Sequence, residues 1–321
     1  MVRRLKLTPV AVLALLAVLA IGAAVLFMTL NVRGSWDFVL GFRGRKLWGL
    51  ALVAYAIAVS TVLFQTVTGN RILTPAIMGF DYLYQLVQTT LVFLLGGFAY
   101  ATLDPQLRFA GDLLIMVVLS LALFRWLFGR SSRILHLLVL VGIVFGVLFR
   151  SLSGLMQRLI DPNEFAVLQD AFFANFNAID TSLLMLATAL LAGVSLLGLR
   201  LLPRLDVLLL GREAAIGLGV EHVRTVSAVL AIVAVMVSIS TALVGPVLFF
   251  GLLVANLAYL VVPDYRHAHV LPAAVLLGLI GLIGGQTVLE HAFGYNTALA
   301  IIIEFGGGLT FLFLLLRTKR A

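Results

Sequence analysis

Along this chain apolar residues neither alternate with polar ones nor repeat on a single helical face. They run together for about 20 residues at a time, the length an α-helix needs to cross the hydrocarbon of a bilayer. Ten such runs stand out, at 10–30, 47–64, 74–95, 109–128, 134–155, 181–202, 223–244, 249–262, 270–289 and 297–316. Only 249–262 is short for a full crossing. The lack of alternation argues against the strands of a membrane barrel. The pattern predicts an all-α, polytopic membrane protein of about ten transmembrane helices, organised as one membrane domain over 1–321.

Composition agrees. Of 321 residues, 62% are hydrophobic and 11% charged, too few charges to clothe a soluble surface. The absence of cysteine excludes disulfides, thiolate metal sites and thiol catalysis. The net charge of +8 has no soluble basic module to carry it, so a nucleic-acid partner is not expected, and membrane topology or an anionic passenger accounts for it. The first run follows Arg3, Arg4 and Lys6 and is longer than a signal-peptide core, so it is expected to stay as a first helix. Arg317, Lys319 and Arg320 make the other end basic, and with both termini cytoplasmic the number of crossings is even. That arrangement puts fifteen Lys and Arg inside against seven outside or in the membrane, together the 22 of the chain. The loop 158–180, with Asp161, Glu164, Asp170 and Asp180, then falls outside, and 203–224 inside.

Within that frame 203–224 is the unusual stretch. Arg204, Asp206, Arg212, Glu213, Glu221 and Arg224 keep it out of hydrocarbon, while 207–210 and 214–216 give it apolar faces. With Gly211, Gly217 and Gly219 as punctuation, it predicts two short interfacial helices gripped by a soluble partner, the glycines letting turns pack closely. A plain polar loop carrying topogenic charge is the alternative. Arg43, Arg45 and Lys46 cluster on the expected outer side, where the positive-inside rule disfavours them. They either snorkel at a helix end or form a docking patch for an acidic soluble partner. Asp81, Arg150 and Glu304 lie within or near the ends of apolar runs, where charge is costly. Arg150 is either an anion-attracting wall residue, a structural partner of Asp81 or Glu304, or a snorkelling side chain. His267 and His269, beside Asp264 and Arg266, are expected in a solvated turn, since two histidines without a third ligand make a weak metal site. No Walker-type loop is present, so ATP hydrolysis is not expected of this chain.

Four elements then fall in a fixed order from about Arg43 onward. Arg43-Gly44-Arg45-Lys46 precedes an apolar helix ending in Gln65. Gly211-Arg212-Glu213-Ala214-Ala215-Ile216-Gly217-Leu218-Gly219-Val220 fills the central loop. Gly245-Pro246-Val247-Leu248-Phe249-Phe250-Gly251-Leu252 follows it, and Gly307, Gly308 and Phe311 precede Leu314–Arg317. Together they resemble the FecCD-type permease subunits of ABC importers for iron–siderophore complexes and vitamin B12.

The resemblance implies the BtuC-like fold of type II ABC importers, in the cytoplasmic (inner) membrane. It implies a separate ABC ATPase subunit that holds ATP and Mg, with no cofactor in this chain. Asp206, Gly211, Arg212, Glu213, Ala214, Ala215, Gly217 and Gly219 would couple to that ATPase. Arg43, Arg45 and Lys46 would meet glutamates of a periplasmic or lipoprotein siderophore-binding protein. A ferric siderophore would pass along the seam with a second permease, near Arg150, Asp81 and Glu304. Thr68-Gly69-Asn70-Arg71-Ile72-Leu73-Thr74-Pro75, with Ala255-Asn256 and Leu309, departs from the common family pattern. The stretches 64–75 and Asp161-Pro162-Asn163-Glu164-Phe165 look like the second permease of catecholate or petrobactin-type systems, which implies a paralogous heterodimer. The rival reading is a secondary transporter relaying protons or cations through Asp81 and Glu304. The central loop and the lack of inverted repeats argue against it.

Overall fold

The structure, a computed structural model, describes residues 8–32, 35–130, 135–177, 179–294 and 298–318. Arg3, Arg4, Lys6, Arg33, Arg133, Lys319 and Arg320 of the charge count lie outside the described residues. Hydrocarbon offers no water to backbone amides and carbonyls, so each apolar run satisfies its own by forming a helix. In chain order these are α1 (Pro9–Thr29), α2 (Trp36–Thr68), α3 (Phe80–Leu95), α4 (Gly97–Ala101), α5 (Pro105–Arg130), α6 (Leu135–Gln157) and α7 (Pro162–Ala171). They continue with α8 (Thr181–Leu199), α9 (Leu202–Leu208), α10 (Arg212–Gly217), α11 (His222–Val244), α12 (Phe250–Val261), α13 (His267–His291) and α14 (Leu299–Thr318). Among the described residues no strand occurs, and each of the ten expected spans coincides with a helix.

Local sequence sets the helix starts. Thr8-Pro9, Asp104-Pro105 and Asp161-Pro162 each pair a capping side chain with a proline at the first helical position, where a missing N–H costs nothing. The Asp161 carboxylate accepts from Asn163 N–H at 2.9 Å, and Asp104 from Gln106 N–H at 2.9 Å. The Asp161 cap opens α7, a helix inside the segment expected to be an outer loop.

The core sits where α2, α11 and α13 meet, with α1, α8 and α12 against them. From Val53 to Thr68 α2 is almost wholly covered. Between helices in lipid, association comes from close packing and interhelical hydrogen bonds rather than from expulsion of water. Both are present. Ala54, Ala56 and Ala58 of α2 are fully buried, and a Cβ on Gly278 of α13 would touch the Ala54 carbonyl oxygen at 3.3 Å. Tyr55 donates to Ser195 of α8 at 2.6 Å, and Trp48 donates to Thr188 at 3.1 Å. A Cβ on Gly251 of α12 would overlap the Thr61 hydroxyl of α2.

Boundaries differ from expectation in two places. α2 begins at Trp36, eleven residues before the expected 47, because Arg43 and Lys46 find partners within the bundle and need not end the helix. Thr74 and Pro75, expected inside a span, instead precede a 3-10 turn at Ala76–Met78, so α3 is only 16 residues. α12 has 12 residues, about 18 Å at 1.5 Å per residue, little more than half the ~30 Å hydrocarbon core.

Lys46 of α2 and Glu290 of α13 form an ion pair at 3.0 Å, with Lys46 3% exposed. Gln286 also donates to Glu290, at 2.9 Å, and lies 3.3 Å from Asn177. Glu290→Ala removes the carboxylate that faces the Lys46 ammonium and is expected to destabilise the bundle by about 3–5 kcal/mol. Thermal unfolding in detergent reads this, and the double variant Lys46→Met, Glu290→Met should recover most of the loss. Gly251→Ala should separate α12 from α2 at a cost of about 1–3 kcal/mol, read the same way.

Candidate functional site

At one end of the bundle the chain between α8 and α11 folds into the two short helices α9 and α10, as expected of 203–224. Gly211 (φ +94°) and Gly219 (φ +84°) are both in the left-handed region, which a side chain would strain. These glycines serve backbone conformation. The expected close packing is not there, since a Cβ on Gly211, Gly217 or Gly219 would meet no atom within 4 Å.

The segment has two faces. Leu205, Leu208 and Ala215 are buried and seat it on the bundle, α9 against α2 and α13. Leu209, Leu210, Ile216 and Leu218 point away from the bundle, Leu210 and Leu218 each 63% exposed. Arg212, Glu213 and Ala214 are exposed beside them. An apolar ridge rimmed by charge has the composition of a surface that another protein covers.

Asp206 does not belong to that exposed rim alone. It accepts from the His267 backbone N–H at 2.9 Å and lies 2.6 Å from His267 Nδ1. His267, expected in a solvated turn, is 2% exposed, and its Nε2 lies 2.7 Å from Thr66 Oγ1. His269 also lies in the first turn of α13 rather than in the loop; it is half-buried, 2.7 Å from Asp264. Its imidazole, with the Arg266 and Tyr265 amides, holds the Asp264 carboxyl below the usual carboxylate range. Among the described residues no cluster of three or more His, Cys, Asp or Glu could hold a metal ion.

The opposite end carries the basic triplet, and the structure divides it. Arg43 is half-buried and donates to the carbonyls of Phe27 (2.8 Å) and Leu30 (2.8 Å), closing the C-terminal end of α1. Lys46 faces inward to Glu290. Arg45 is exposed, donates to its own helix at Gly41 (3.0 Å), and lies near Asp180. The Ser182 backbone N–H and hydroxyl, with a lesser contribution from Arg45, hold the Asp180 carboxyl below its ordinary range. Trp36 and Phe38 of α2 are exposed nearby in sequence.

The three intramembrane charges are not one ion-pair cluster. Arg150 of α6 is exposed, and its guanidinium stands over the Tyr82 ring at 5.8 Å. No ion pair joins it to Asp81 or Glu304 among the described residues. With Arg158, in the turn just past the end of α6, it lines an open groove of about 530 Å³. Asp81 is 4% exposed and borders a cavity of about 30 Å³ with Ser60, Thr61, Thr74, Ser240 and Thr241. Glu304 is half-buried, near enough for its charge to act on Asp81. Sequence reasoning missed the roles of Thr66, Arg158 and Glu290. Only Arg158 left a signal, its eight-residue spacing from Arg150.

Known proteins agree with this architecture. A solved structure described as a metal-chelate type ABC transporter in an inward-facing conformation superposes with a TM-score of 0.83, covering 96% of this chain and 99% of that one at 19% identity. The chain is 44% identical over 309 residues to the petrobactin import system permease protein YclO of Bacillus subtilis, covering 96% of this chain and 98% of the relative. It is 36% identical over 277 residues to the petrobactin import system permease protein FatC of Bacillus anthracis, covering 85% and 78%. The profile of the FecCD transport family matches residues 7–317, and with a bundle of this architecture the chain belongs to that family, as a multi-pass membrane permease.

Proposed function

We propose that this chain is the membrane-spanning permease subunit of an ATP-driven ABC importer that carries a ferric siderophore of the petrobactin type across the cytoplasmic membrane. A separate ATPase supplies the energy and a siderophore-binding protein delivers the cargo. The carrying observation is the α9–α10 segment, an exposed apolar ridge on a seat anchored to the core, in a chain alike from end to end to petrobactin permeases. A carrier driven by an ion gradient has no need of such a ridge. Among the described residues Asp81 borders a cavity of about 30 Å³, too little room to support the rival relay through Asp81 and Glu304.

In this reading 1–321 forms one permease domain with both termini cytoplasmic, as the positive-inside distribution supports. Leu209, Leu210, Ile216 and Leu218 seat in a cleft of the ATPase, while Arg212 and Glu213 pair with charges at its rim. Asp206, Ala214, Ala215 and the three glycines shape and hold the segment. The opposite end meets the binding protein, with Arg45 as the solvent-facing cation and Arg43 and Lys46 stiffening the platform beneath it. The cargo moves along a seam with a second, paralogous permease, where Arg150 draws the anionic chelate. The departures at 68–75 and Ala255-Asn256 support a heterodimer over a homodimer.

Reconstitution with ATPase, second permease and binding protein tests the whole. Ferric petrobactin should stimulate ATP hydrolysis and enter proteoliposomes only with ATP, whereas uptake driven by a proton gradient without ATP would overturn the reading. Arg212→Glu should weaken ATPase association by about tenfold, a 1.4 kcal/mol effect measurable by co-purification. Arg45→Glu should slow binding-protein docking more at 0.01 M than at 0.15 M salt, because the screening length falls from about 30 Å to about 8 Å. A rate that is the same in both salts would remove Arg45 from the docking surface.

A further inference from the structure

Motion at α9–α10 has to reach the helices that cross the membrane, and the apolar contacts of Leu205 and Leu208 alone can slide. A second kind of contact lies beside them. Asp206 Oδ1 accepts from the backbone N–H of His267 at 2.9 Å and from its Nδ1 at 2.6 Å. His267 is the first residue of α13, where a backbone N–H has no partner within its own helix. Arg266, the residue in the capping position, supplies no side-chain cap. The cap of α13 is therefore provided by α9. On its other edge the imidazole Nε2 meets Thr66 Oγ1 of α2 at 2.7 Å, and Thr66 donates to the Val62 carbonyl at 2.9 Å.

A carboxylate only accepts, so Nδ1 carries a proton toward Asp206, and the one proton of the Thr66 hydroxyl is shared between Nε2 and the Val62 carbonyl. No other side chain offers two ring nitrogens on opposite edges. His267 and Thr66 are buried, and hydrogen bonds shielded from water hold their partners in one register. α2 and α13 are tied again at the far end by Lys46 and Glu290. The two helices are thus pinned to each other at both ends, and to α9 at one.

Building on the permease reading, we propose that Asp206, His267 and Thr66 form the link through which the coupling segment moves α2 and α13 as one body, with His267 as the positioning residue. Its two edges can be tested separately. His267→Asn keeps a donor near Nδ1 for Asp206 and loses the reach to Thr66. His267→Gln keeps a group near Nε2 and loses the side-chain bond to Asp206, while the backbone N–H bond stays. Thr66→Val removes the hydroxyl at nearly constant shape.

The complete complex, in proteoliposomes with ferric petrobactin as probe, should show all three variants importing about tenfold less chelate per ATP hydrolysed. His267→Asn combined with Thr66→Val should be no worse than His267→Asn alone, because both cut the same contact. Wild-type ATP-to-chelate ratios in His267→Asn and Thr66→Val would overturn the link, as would losses that simply add. A purely structural role would lower the amount of folded complex and leave its ATP-to-chelate ratio unchanged, which also overturns it. If the wild-type complex imports nothing with ATP, the permease reading itself fails, an outcome separate from these.

Discussion

The architecture rests on α2 being buried along most of its length in a medium that gives apolar side chains no reason to cluster. Hydrocarbon solvates leucine as well as a protein interior does, so helices stay together through fit and through polar contacts that lipid cannot supply. The sequence of α2 suits this, with small or β-branched residues from Ala51 to Thr68 and few long ones. Ala54 lies under Gly278 and Thr61 under Gly251, which lets α13 and α12 approach its backbone. Tyr55 and Trp48 carry hydrogen bonds to α8. α11, the other deeply buried helix, packs on the same axis.

That constraint also explains where charge is tolerated. Lys46 and His267 are among the most buried polar residues, and each is matched to a carboxylate from another helix. A buried pair costs desolvation that its attraction barely returns, so its value lies in fixing which helices meet and in what register. Arg43 does the same with carbonyls, placing one guanidinium nitrogen on the open end of α1. Arg150, by contrast, has an aromatic face beneath it and an open groove beside it, the setting of a cation that remains available.

Most of the fold was legible because hydrophobicity alone marks a membrane span. All ten runs became helices, and the polar stretch 203–224 became two short helices with apolar and charged faces. What stayed hidden has a common cause. The partners of Lys46 and Asp206 lie 244 and 61 residues away, and no local pattern marks a pair that distant. For that reason Arg43 and Lys46 read as surface charges and the start of α2 as a break. His267 looked like a turn residue because Asp264 and Arg266 surround it in sequence. α7 did leave a trace in Asp161-Pro162, which the acidity of its surroundings masked. The glycines of the central segment were legible as breakers, but only the backbone angles show that they answer to conformation rather than to close packing.

α2 is a single unbroken helix, and twenty residues of it separate Lys46 from Thr66, about 30 Å at 1.5 Å per residue. No charged side chain lies between them. The helix is therefore a ruler matched to the thickness of an ordinary bilayer. Lipids with markedly shorter or longer tails press on both of its tied ends at once, since an unbroken rod cannot change length and answers by tilting in thin bilayers or by drawing thick ones thinner around it. Hydrophobic mismatch thus acts directly on the contacts that fix α2 to α13, which makes acyl-chain length a variable that the protein feels.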